Sequence, residues 1–110
     1  VKKIVFFLLI TNTLVSYADY DTNMRGHIKN IFTYPYGLVL FKLDNQPNHP
    51  TCNSGYFAIG TDVSEAGANR MFSMLLTLHT KKAEAYIGYD SKGDCANGYI
   101  RVHNIGETST

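Results

Sequence analysis

The chain has 110 residues, with ten Lys and Arg against nine Asp and Glu, two cysteines and four histidines. That length supports one domain, and a near-neutral balance argues against the basic face with which nucleic-acid binders neutralise phosphates. Two cysteines exclude a disulfide-dense scaffold, and they lack the closely spaced partners of a zinc site.

In chain order, the first segment is "VKKIVFFLLITNTLVSYA". Lys2 and Lys3 supply a positive start, Ile4 to Val15 an apolar core, and Ser16-Tyr17-Ala18 a small-x-small cleavage signal. This is the pattern of a secretory signal peptide, and the apolar run is too short to span a bilayer. A buried strand or a short membrane anchor is the rival reading. Val1 in place of Met fits an alternative start codon in a bacterial precursor. The expected division is 1–18 signal peptide and 19–110 a single domain. Cleavage removes two lysines and leaves a net charge of −1 with neutral histidines. No second apolar run follows, so no membrane span is expected after cleavage.

The mature part punctuates itself clearly. "GHIKNIFT" (26–33) predicts a strand that buries Ile28 and Phe32 on one face, with Asn30 as the exception. "YPYG" (34–37) is a turn, and "LVLFKL" (38–43) a second strand. "DNQPNHPT" (44–51) is a surface loop, and "GYFAIG" (55–60) a third strand. Asp62-Val63-Ser64-Glu65 reads as a capping box that opens a helix of about five turns ending at Lys81 and Lys82. On it Met71, Met74, Leu75 and Leu78 share one side, and Phe72 and Leu76 widen the stripe. "AEAYIGYD" (83–90) is a fourth strand, "SKGDCANG" a loop and "YIRVHNIG" (99–106) a fifth strand.

The expected fold is therefore mainly β with one helix. Five strands in the order β-β-β-α-β-β describe an OB-fold-like Greek-key barrel. An export signal delivers Cys52 and Cys95 to an oxidising compartment, where they read as one disulfide. The barrel supports this, because its third and fifth strands run parallel and each cysteine lies just before one of them. The helix stripe is wider than a barrel plug requires. Either the loop 34–37 or 44–51 covers it, or another subunit does, through Met71, Phe72, Leu75 and Leu76.

The segments "MLLTLHTKKAEAYIGYDSKGDC" and "GYIRVHNIG", with "GHIKNI" and "GLVLFKL" before them and a cysteine ahead of the third strand, resemble a family. They are similar to the subtilase-cytotoxin B-subunit-like proteins, small exported bacterial proteins related to the receptor-binding B subunits of AB5 toxins. The resemblance covers most of 26–106 and implies the OB-type enterotoxin fold and a non-enzymatic binding role. In the toxins it also implies ring pentamers that recognise sialylated glycans, with the helices around the central pore. Toxin B subunits hold sugar with a set of Ser, Tyr, Asp and Lys residues. No such set aligns here, so no sugar-binding residue carries over.

Catalytic signals are sparse. His27, His49, His79 and His103 show no metalloprotease or His-x-His spacing, though His27 and His103 meet if the first and last strands curl together. Ser54 and Ser64 lack nucleophile-elbow glycines. Asp90 and Asp94 lack the ligand ladder of a calcium loop. No enzyme activity, cofactor or metal is expected. Tyrosine presents a flat apolar face with a hydroxyl, suited to sugars and to proteins. Tyr34 and Tyr36 lie in a turn where burial is hard, and with Asn48, His49 and Asn53 they are the candidate ligand contacts. The expected role is a secreted or periplasmic binding module for a glycan or protein receptor, assembled as a homo-oligomer (a pentamer if toxin-like). A small periplasmic envelope or stress protein without a sugar ligand is the alternative.

Overall fold

A computed structural model describes residues 20–109, and the expected signal peptide lies outside them. The elements are β1 Thr22–Thr33, β2 Val39–Leu43, β3 Asn53–Ile59, α1 Glu65–Lys81, β4 Glu84–Tyr89, β5 Cys95–Ala96 and β6 Tyr99–Gly106. The sheet runs β3-β2-β1-β4-β6, and a parallel β3–β6 pair closes it into a five-stranded barrel. This is the OB-type architecture that the element order predicts. Cys52 and Cys95 are bridged, with Cα atoms 5.5 Å apart, beside the parallel pair.

β1 is longer than its apolar pattern indicates. Its first half pairs with β4 from Thr22 opposite Tyr89 to His27 opposite Glu84, and its second half pairs with β2. Between Ile28 and Asn30 the register shifts, leaving Lys29 as an extra residue. A bulge of this kind bends a strand and inverts the alternation beyond it. Ile28 faces the core at 8% exposure, whereas Phe32 is 46% exposed. The expectation that both share the inner face is therefore corrected; Ile31, opposite Phe41, packs against the core instead.

β2 is buried on both faces, which explains its unbroken apolar run. Val39, Phe41 and Leu43 point into the barrel, where Phe41 and Phe57 stack with centroids 5.5 Å apart. Leu38 and Leu40 join Ala58 and Ala96 in a second cluster, flanked by Tyr56 and Tyr99. Ala96 belongs to the two-residue β5, which the sequence reading placed in a loop. Gly60 makes this close approach possible: a Cβ there would sit 2.9 Å from that of Ala96.

The helix cap is Ser64, whose Oγ accepts from the Gly67 amide at 3.0 Å. The predicted capping box at Asp62 is thus corrected. Arg101 claims Asp62 through two bonds of 2.8 and 2.9 Å, and a bidentate charge-assisted pair outweighs a single cap bond. At the other end Lys82 takes φ 59, its amide reaches His79 and the Ala83 amide reaches Leu78. This left-handed cap turns the chain directly into β4, so no loop intervenes. Leu75 and Leu78 are fully buried, and Met71 and Phe72 pack partly on the core. Met74 and Leu76 remain exposed at 38% and 41%. Met74 does not share the buried face, and Leu75, expected at a subunit contact, belongs to the core.

Asp21 fastens the start of β1. Its carboxylate accepts from the Ser91 amide at 2.8 Å and from the Ser91 hydroxyl at 2.9 Å. These bonds, the Ser91 amide first, lower its pKa from 3.8 to about 2, with the Thr22 hydroxyl and Lys92 assisting. A folded-state value below the unfolded one stabilises above the unfolded value and is lost as the proton binds. The Asp21 contribution is therefore present above pH 4 and disappears as pH falls through about 2. In acid titrations followed by circular dichroism, Asp21→Asn is expected to flatten the stability loss over that window. An unchanged slope would show that Asp21 does not hold the strand.

Candidate functional site

The five residues singled out in the sequence do not form one site. Tyr34 and Tyr36 lie beyond the Val39/Ile59 end of the β2–β3 pair, whereas Asn48 and His49 belong to the segment joining its opposite ends and Asn53 opens β3 there. His49 is buried at 9% exposure. Its Nδ1 accepts from the Cys52 amide at 3.0 Å and the Thr51 amide at 3.2 Å. The ring proton therefore sits on Nε2, which donates to the Asp90 carbonyl at 2.8 Å. With both nitrogens engaged, His49 clasps the loop next to the disulfide and has nothing left for a ligand. The Asn53 Oδ1 accepts from the Gly55 amide at 2.9 Å, and the residue is exposed. Asn48 is exposed.

At the other end the geometry is more productive. The β1–β2 turn stands beside the first half of α1 and leaves a cleft of about 490 Å³ between them. Gly37 at φ 102 closes the turn, its amide bonded to the Tyr34 carbonyl at 3.0 Å. The turn presents Tyr34 and Tyr36, whose ring centroids are 5.6 Å apart. Tyr36 is 63% exposed, the most exposed large apolar side chain in the described residues. The helix contributes Phe72, Glu65 and Asn69, and the β3–α1 connection contributes Thr61. Of the helix stripe, Phe72 lines this cleft together with the loop 34–37, one of the two loops considered as a cover, and a hollow is left there.

The floor of this cleft is held from outside. The Asn97 Oδ1 accepts from the Thr61 amide at 3.0 Å. Beside it Arg101 bridges Asp62 to Asp94, with its Nε 3.0 Å from the Asp94 carboxylate. The Asp62 hydrogen bonds raise the Arg101 pKa, and Arg101 in turn holds the Asp62 carboxyl below its ordinary value. Asp94 also meets His103 Nε2 at 2.5 Å, and the His103 ring stacks on Tyr20. These groups satisfy one another, so the cluster reads as a brace and not as a reaction centre.

A second hollow of about 270 Å³ at the helix C-terminus brings His27 near His79 and Lys82, rather than near His103. His27 lies 3.9 Å from Asp44. Among the described residues, no three His, Cys, Asp or Glu side chains are grouped to hold a metal. Among them too, no helix is long and apolar enough to cross a membrane. No protein family, curated protein or solved structure matches the chain.

Proposed function

We propose that the chain is an exported, non-catalytic binding module, akin to toxin B subunits, that holds a saccharide in the cleft between the turn and the helix. The exposed Tyr36 ring at the mouth of that cleft carries the reading. A tyrosine face packs against the apolar side of a pyranose, while nearby carboxylate, amide and hydroxyl groups take the sugar hydroxyls. Glu65, Asn69 and Thr61 offer such groups in the same cleft. Loops at the rim of OB barrels commonly bind oligosaccharides. The Cys52–Cys95 bridge is in keeping with a secreted or periplasmic location.

The direct test is a glycan array probed with the oxidised protein and with Tyr36→Ala. Losing a stacked ring is expected to weaken binding by about tenfold. Blank arrays at high protein concentration, or binding indifferent to Tyr36→Ala, would remove the proposal.

A further inference from the structure

We infer that the cleft selects an uncharged pyranoside over its sialylated counterpart; the inference rests on the saccharide reading above and narrows it. Ligand charge is decided by what the cleft offers in return. Among the described residues that line it there is no Lys, Arg or His, and Glu65 is the one carboxylate. An anionic sugar would therefore need backbone N–H donors, as at many anion sites.

Several of those donors are already spent. The Gly37 amide bonds to the Tyr34 carbonyl at 3.0 Å, and the Thr61 amide to Asn97 Oδ1 at 3.0 Å. The Val63 amide bonds to the Gly60 carbonyl at 3.3 Å, and the Ala68 amide to the Ser64 carbonyl at 2.8 Å. At the helix start Ser64 takes the Gly67 amide, and the Glu65 carboxylate already offsets the positive end of the dipole. Beside the hydroxyls and the Asn69 amide, which both donate and accept, the one charged side chain in the lining is the Glu65 carboxylate. Such a lining suits a ligand that brings hydroxyl donors and an apolar ring face. A sialic acid carboxylate brings acceptors and a charge of the same sign as Glu65. At separations near 6 Å in a partly solvated site, that repulsion amounts to about tenfold in affinity.

The experiment is an NMR titration of the isotope-labelled, oxidised protein, following the amides of Tyr36, Glu65 and Asn69. The probes are neutral disaccharides (lactose, cellobiose, maltose, chitobiose), sialyllactose and choline, each against the wild type and Glu65→Gln. The expected result is that a neutral disaccharide moves these amides about tenfold more tightly than sialyllactose, and that Glu65→Gln narrows the ratio. Sialyllactose binding in the cleft as tightly as lactose overturns the charge selection and leaves the saccharide reading standing. A ratio unmoved by Glu65→Gln also overturns it. If choline alone moves the amides, or no probe does, the saccharide reading itself fails.

Discussion

Replacing both Cys52 and Cys95 with alanine is expected to cost about 4 kcal/mol and to lower the melting temperature by on the order of 20 °C. The bridge spans 43 residues, so it removes substantial loop-closure entropy from the unfolded chain. It does so at the parallel β3–β6 pair, the contact that closes the barrel. A domain of this size has only about 5 to 15 kcal/mol in total, which makes the bridge a large share of its stability. Urea unfolding of the oxidised protein, of the double variant and of the reduced wild type would measure the loss. A loss under about 1 kcal/mol would show that the His49 clasp and the Arg101 brace hold the pair without sulfur.

Phe57→Ala should be comparably damaging, at about 4 kcal/mol. Phe57 is fully buried at the barrel centre. Its ring stacks on Phe41 at 5.5 Å and meets Tyr89 edge-on at 5.3 Å. Truncation removes the transfer energy of the ring and leaves a cavity that β-strands locked in a closed barrel cannot collapse around. Phe57→Leu keeps much of the volume and should cost roughly half as much. Near-ultraviolet circular dichroism and urea midpoints on both variants would report this. An alanine variant as stable as the wild type would mean that the barrel interior is not organised around the ring pair.

Some of this architecture was readable because the signals are local. β6 was bounded correctly, since "YIRVHNIG" alternates between two glycines and needs no partner to be seen. The cysteine pairing was legible because the chain has just two cysteines and the strand order brings them together. The first residues of β1, Thr22 to Arg25, carry few strand formers, and their pairing with β4 is a tertiary effect. β5 was not legible, because two residues between Asp94 and Asn97, both at positive φ, present no periodicity. The cap was misplaced because Asp62 and Ser64 both suit the role, and the deciding partner, Arg101, lies 39 residues away. Tyr34 and Tyr36 stood out as aromatic rings in a turn. Glu65 and Asn69 did not, since only the direction in which the helix crosses the barrel end brings them to that turn. Asn48, His49 and Asn53 looked equally available in sequence, but a buried ring with two engaged nitrogens is invisible without coordinates of its partners.

The surplus residue at Lys29 sets a rule for how this chain tolerates drift. Its side chain is solvent-exposed, so many residue types can stand there without disturbing the interior. Its presence governs shape, because without it Asn30 would still stand opposite Lys42 and Ile31 opposite Phe41, in plain alternation after Ile28, and the strand would lose its bend. The site is permissive toward substitution, and a deletion there would cost the strand its curvature rather than the inward order of its side chains.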